Sequence, residues 1–221
     1  MRQWKMDIQQ LWPLFNLRLR TSEIEMRIPT DADLAELLSV AVRGVHPPEF
    51  MPFAVPWTDL ASPEMERSAV QYHWKCRSEF SPTQWNLCFV VVVDGEIVGS
   101  QSLHAQKFPT LRSVETGSWL GMEFQGRGIG KRMRAAVVRF AFDHLGAEVV
   151  TSGAYVDNPA SHRVSLATGY EPNGTSRTIR RGVVAEQVRY QLTRERWEET
   201  HSNEPLSVEG LNSCRAMFGL N

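Results

Sequence analysis

The chain has 221 residues, 42% of them apolar, and its 24 Lys and Arg against 25 Asp and Glu give a net charge of −1. That is the size of one domain, or of one domain with extensions, and the apolar content is ordinary for a soluble globular protein. Without a surplus of cations the chain is poorly suited to neutralising many phosphates, which argues against a nucleic-acid binder.

No stretch approaches the length of a spanning helix. Residues 1–20 carry Arg2, Lys5, Asp7 and Pro13 in place of a long apolar signal core, so a cytoplasmic protein with no membrane partner is expected. Cys76, Cys88 and Cys214 are scattered with no paired spacing, which fits a reducing compartment and gives no metal site.

In chain order, Ile24, Met26 and Ile28 alternate as a first strand, and Thr30-Asp31 then offers a cap for a helix with Leu34, Leu37, Leu38 and Ala41 on one face. From Gly44 to Thr83 the pattern is irregular and rich in Pro and aromatic residues, with a helical segment around Met65 to Arg77. Phe89 to Val93 and Ile97 to Leu103 flank Asp94-Gly95, the strongest hairpin signal in the chain. Ser113 to Leu120 reads as the next strand. A helix from Lys131 has Met133, Ala136, Val137 and Phe140 at helical spacing, with Ile129 continuing the pattern back into the loop. Val149 to Val156 is a strand, Pro159 opens a short helix, and a last pair of strands runs from Tyr170 through Val183 to Leu192. This alternation of types predicts an α/β or α+β domain.

Between the strand ending at Leu120 and the helix lies Gln125-Gly126-Arg127-Gly128-Ile129-Gly130. Three glycines at alternate positions let backbone N–H groups approach a ligand with no Cβ in the way. The helix that follows has no Ser, Thr, Asp or Asn to cap it, and it carries Lys131 and Arg132 where the dipole disfavours cations. An anion seated there accounts for both features. A Walker A loop requires Gly, four residues, then Gly-Lys and Ser or Thr; here Gln125 stands in the place of the first Gly and Arg132 follows Lys131. The dinucleotide fingerprint fails too, since this loop reads G-x-G-x-G and lies past the middle of the chain.

The order Gln125-x-x-Gly128-x-Gly130 resembles the pyrophosphate loop of the GNAT superfamily of N-acetyltransferases, which holds the diphosphate of acyl-coenzyme A on those N–H groups. Asn158, Ser161, Arg163, Val164, Gly169 and Tyr170 match N-x-x-S-x-R-V-x-x-x-x-G-[F/Y] of its ribosomal-protein (RimJ/RimL-like) subfamily. The likeness implies a central mixed, mostly antiparallel sheet flanked by helices, with acyl-coenzyme A in a cleft between two splayed parallel strands. It covers residues 17–195 as the acyltransferase domain, leaving 1–16 and 196–221 as extensions. It implies a coenzyme A set of Trp119, Leu120, Met122, Gln125, Gly126, Arg127, Gly128, Ile129, Gly130, Lys131, Arg132, Asn158 and Ser161.

Acyl transfer to an amine needs a base for the amine, a donor for the oxyanion and a proton for the departing thiolate. By resemblance, the backbone at Trp119-Leu120-Gly121-Met122 polarises the carbonyl and Ser161 serves the thiolate, because many relatives carry a Tyr where this chain has Ser165. Some relatives place a Glu where Gly153 stands, and Glu115 is the chosen base here, with His104 as a further candidate. Asn158 either binds the arm or simply opens a helix ahead of Pro159. The stretch from His46 to Trp85 falls where the family builds its acceptor wall, although Trp57, Trp74 and Trp85 also suit an ordinary core. The acyl group is acetyl by family default, or succinyl if an arginine among Arg18, Arg20 and Arg177 to Arg181 lines the pocket. The amine is a protein N-terminus, a lysine or a small molecule. A coenzyme A-binding sensor without catalysis is the alternative. Apolar residues of the tail, Trp197, Leu206, Val208, Leu211, Met217 and Phe218, need cover from their own domain or from a second subunit, and a homodimer is the expectation.

Overall fold

The computed structural model describes residues 6–200 and 205–220. Of the expected extensions, residues 1–5, 201–204 and 221 lie outside them. The elements are α1 (Ile8–Leu11), β1 (Arg18–Arg20), β2 (Glu25–Arg27), α2 (Asp31–Arg43), α3 (Glu64–Ser78), β3 (Gln84–Val93), β4 (Glu96–Gln106), α4 (Phe108–Leu111) and β5 (Ser113–Leu120). There follow α5 (Ile129–Arg139), β6 (Val149–Tyr155), α6 (Pro159–Ala167), β7 (Glu171–Arg180), β8 (Val183–Thr193), α7 (Arg194–Thr200), β9 (Ser207–Glu209) and α8 (Leu211–Cys214).

The strands form a nine-stranded sheet in the order β7-β8-β6-β5-β4-β3-β2-β1-β9, antiparallel throughout except between β5 and β6. Local chemistry sets several joints. Thr30 and Asp33 form a capping box on α2, each side chain bonding the other's backbone N–H, a device worth about 0.5–2 kcal/mol. Asp94 and Gly95 both take positive φ, as the tight turn between right-twisted strands demands. β3 has a long apolar run because both of its faces are covered. Val90 and Val92 meet Leu34 and Leu37 of α2, while Phe89 and Val91 share the main core with Met133, Val137 and Phe140 on and just beyond α5.

Two boundaries differ from the sequence reading. α5 begins at Ile129 with Gly128 as its cap, so Gly130 and Lys131 lie in its first turn. The stretch from Leu17 to Ile28 holds two short strands, β1 paired on β2, where one was expected. The tail folds back. β9 pairs with β1 at the sheet edge, and Leu211, Cys214, Phe218 and Leu220 are buried in the main core. Phe218 meets the rings of Trp85 and Phe80 edge-on at 5.4 and 5.6 Å. Cover for these side chains thus comes from their own domain, and the tail supplies no reason to expect a second subunit. No described helix is long and apolar enough to cross a membrane.

Candidate active site

β5 and β6 pair at Ser113↔Val149, Val114↔Val150 and Glu115↔Thr151 and then part, although β5 runs on to Leu120 and β6 to Tyr155. Hydroxyl groups close the ladder where it ends: Thr116 Oγ1 donates to Thr151 O at 3.1 Å, and Ser152 Oγ donates to Thr116 O at 3.3 Å. Beyond them lies a gap between two backbone edges that no longer share hydrogen bonds. Unpaired backbone N–H and C=O groups demand polar partners. A ligand arm carrying amides suits such a gap.

The glycine loop opens beside it. Gly126 and Gly128 have φ of +74 and +76, and α5 starts without any side-chain cap. Lys131 and Arg132 are the first residues there whose N–H groups reach a backbone acceptor, both on Gly128 O. No backbone acceptor among the described residues meets the N–H groups of residues 126–130 ahead of them, the arrangement that suits an anion at a helix start. Lys131 is exposed; Arg132 is held by Arg127 O at 3.1 Å and by Glu23 at 3.1 Å, and the Arg127 guanidinium stands over the Phe124 ring. Gln125 turns inward, its Nε2 donating to Val45 O at 2.8 Å and Leu120 O at 2.9 Å, so its carboxamide braces the loop. The Met122 N–H is likewise taken by Gly44 O.

Side chains alternate along a strand, and Val114 and Thr116 are buried toward α5, so Glu115 and Trp119 point to the opposite face. Trp119 meets Trp57 in a tilted ring contact at 5.7 Å, which continues through Phe53 to His46. Trp85 is plain core at 1% exposure, and Trp74 is half exposed. At the hairpin tip between β7 and β8, Arg180 grips Asp157 through two bonds of 2.8 Å and covers the Tyr155 ring, while Arg181 grips Asp59 and Pro48 O. These bonds hold the carboxyls of Asp157 and Asp59 below the usual aspartate value. The hairpin and the 44–63 loop therefore meet as a rim over this face.

Glu115 sits at the last paired step, where its carboxylate accepts from Arg189 Nη2 at 3.2 Å. Gly153, paired with Arg189 across β8, makes room for that reach, since a Cβ there would lie 2.8 Å from Arg189 Nη1. His104 is the cross-strand neighbour of Glu115 on β4. This face is thus a polar floor under an aromatic wall.

The acetyltransferase (GNAT) domain family matches residues 23–171. The chain belongs to it. A Bacillus subtilis (strain 168) protein named "Putative ribosomal N-acetyltransferase YdaF" is 30% identical over 110 residues, or 49% of this chain, and the match spans 60% of that relative's length. Among solved structures, Mycobacterium smegmatis RimJ in complex with CoA-disulfide superposes with a TM-score of 0.63 at 18% identity, covering 91% of this chain and 92% of that one. The ribosomal L7/L12 alpha-N-protein acetyltransferase RimL in complex with coenzyme A gives 0.62 at 16%, covering 78% and 95%. These structures share the fold.

In this GNAT domain Asn158 caps α6, its Oδ1 accepting from the Ser161 N–H at 3.1 Å. Ser161 lies one turn ahead of Val164, which faces Gly130 of the loop, so Ser161 is turned toward the loop on the α5 side. Ser165 is wholly buried with no partner for its hydroxyl. Of the arginines named for a carboxylate, Arg18 and Arg20 pair with Glu25 on the far strands, and Arg180 and Arg181 are committed to the rim. On the Glu115 face, the guanidinium at the parting is Arg189. No sequence pattern marked it, because its meeting with Glu115 depends on three strands lying side by side.

Proposed function

We propose that this chain is an acyl-coenzyme A-dependent N-acetyltransferase that transfers an acetyl group to a primary amine on a protein. One observation carries the reading: the single parallel strand pair parts beside an uncapped, glycine-rich helix start. The diphosphate binds the N–H groups from Gly126 to Gly130, with Lys131 and Arg132 adding charge, and the pantetheine arm lies in the gap along Trp119, Leu120 and Met122 with Asn158 at its other side.

The amine comes over the face carrying Glu115 and attacks the thioester carbonyl carbon. Its nitrogen forms the new bond and gives its proton to Glu115, directly or through water. Collapse of the tetrahedral adduct breaks the carbon–sulfur bond and leaves the electron pair on sulfur, which takes a proton from Ser161 on the α5 side. Base and acid thus act on opposite sides of the gap, as addition from one face and departure toward the other require. The names of the ribosomal N-acetyltransferase relatives support a protein amine as acceptor. The free thiols of Cys76, Cys88 and Cys214 support a cytoplasmic setting.

A second reading, succinyl transfer, is favoured by Arg189, whose guanidinium at the strand parting is able to exchange Glu115 for a donor carboxylate. Thiol release from acetyl- and succinyl-coenzyme A, with protein and peptide amines as acceptors and mass analysis of the products, tests both. Acetylated product with a kcat/KM preference of tenfold or more for acetyl-coenzyme A supports the first reading. Coenzyme A binding without thiol release for any amine would leave a binding module.

A further inference from the structure

Arg134 lies in the second turn of α5 with 3% of its surface exposed. Its Nη1 donates to Ser152 Oγ at 3.0 Å and its Nη2 to Ser118 Oγ at 3.1 Å, and its guanidinium stands 5.9 Å over the Tyr170 ring. Nε is buried without a partner, and the nearby carboxylate of Glu115 is engaged by Arg189 on the other face of the sheet.

Ser118 belongs to β5 and Ser152 to β6; Ser152 makes the hydroxyl bond that closes the ladder after Glu115↔Thr151, and Ser118 lies beyond it on the parted end of β5. A side chain that bonds one residue on each of two parted strands spans the gap between them. Burying a cation without an anion is costly, and an apolar side chain of similar length would fill the same space more cheaply. Stability alone therefore gives no reason for a guanidinium here. The gap does, because the sulfur of a donor seated in it must bear negative charge when the carbon–sulfur bond breaks.

We propose that Arg134 is a positioning residue of the donor cleft: it staples Ser118 on the parted end of β5 to Ser152 of β6, so fixing where the strands part, and sets a fixed positive charge against the thioester sulfur. The inference rests on the acyl-coenzyme A reading above. Tyr170 contributes no competing charge, since burial pushes its phenol above the ordinary value and keeps it neutral.

Arg134→Met separates this role from a structural one. Removal of a costly buried cation should leave the melting temperature unchanged or raise it. The Kd for acetyl-coenzyme A by calorimetry should rise at least tenfold and kcat should fall, with Arg134→Lys recovering most of kcat by keeping the charge. Wild-type Kd and kcat in Arg134→Met would overturn the inference, as would a melting temperature that falls while Kd and kcat of the folded fraction stay unchanged. Should that variant not fold, the double variant Ser118→Ala, Ser152→Ala keeps the cation and frees the staple; it should also bind acetyl-coenzyme A at least tenfold more weakly, and wild-type affinity would overturn the proposal. Absence of coenzyme A binding by the unaltered chain would instead remove the donor assignment itself, and this inference with it.

Discussion

Replacing Gly128 with Ala tests the anion cradle most directly. Gly128 has φ +76 and ψ −3, a left-handed conformation that costs an L-residue roughly 1–2 kcal/mol. The new Cβ would lie 3.2 Å from Arg132 Nη1, the free end of a side chain that also bonds Arg127 O and Glu23. That end must shift. A loss of roughly 1–2 kcal/mol corresponds to a melting temperature lower by about 2–8 °C for a domain of this size. Gly126→Ala carries the same strain, with φ +74, but its Cβ meets nothing within 4 Å. Gly130→Ala is the informative control, because Gly130 is helical with ordinary φ and its Cβ would make ordinary contact with Val164 at 3.4 Å. Ala there should stabilise the helix by about 0.5–1 kcal/mol. It would nevertheless add bulk between Val164 and Leu120, within the first turn whose N–H groups face the loop. If those groups hold the diphosphate, coenzyme A affinity measured by calorimetry should fall about tenfold, or about 1.4 kcal/mol, in both Gly128→Ala and Gly130→Ala. Wild-type affinity in both variants would refute the cradle, whatever happens to their stability.

Ser161→Ala should lower kcat at least tenfold with little change in the Kd of acetyl-coenzyme A, because a proton delivered in the transition state affects rate and not ground-state binding; wild-type turnover would move the donor elsewhere. His73 is buried on α3, and burial together with Arg77 pulls its value down from 6.5 to about 4. The unfolded chain therefore binds a proton that the native state refuses, and stability is full above pH 6.5 and falls as the pH drops toward 4, by on the order of 3 kcal/mol. Urea midpoints across that range should show this fall in the unaltered chain and a shallower one in His73→Gln; parallel curves would refute it. Cys88 donates to Cys76 across 3.8 Å, which lowers the Cys76 thiol below the ordinary value, whereas burial takes Cys214 up to about 11. Brief alkylation of the native protein at neutral pH should label Cys76 first, as peptide mapping would reveal; equal labelling of all three thiols would contradict it.

Features fixed by neighbours in the chain were readable from it. Thr30 with Asp33, Asp94-Gly95, the run from Ser113 to Leu120 and the glycine loop each state their structure within a few residues. Pairings made across the sheet were not. Nothing local to Arg189 announces that Gly153 leaves it room to reach Glu115, and nothing local to Arg134 announces that it lies between Ser118 and Ser152. Gln125 shows the same limit from the other side, because its place in the motif does not say that its carboxamide turns inward to Val45 and Leu120. The arginines at the hairpin tip were visible as a cluster, but their partners, Asp157 and Asp59, come from separate segments of the chain.

That tip has a consequence for traffic through the site. Of two adjacent arginines, Arg180 reaches Asp157 past the end of β6 and Met51 O, and Arg181 reaches Asp59 and Pro48 O, so the arch over the Glu115 face is fastened at both feet. Both pairs are forked, which makes them firmer than a single exposed contact, but their partly exposed charges are still screened by salt. If amines enter over this face as proposed, the strength of these two fastenings sets how large an amine the arch admits. Raising ionic strength loosens both feet together, so the molecule should accept bulkier amines in concentrated salt than in dilute buffer while its preference among small ones stays the same.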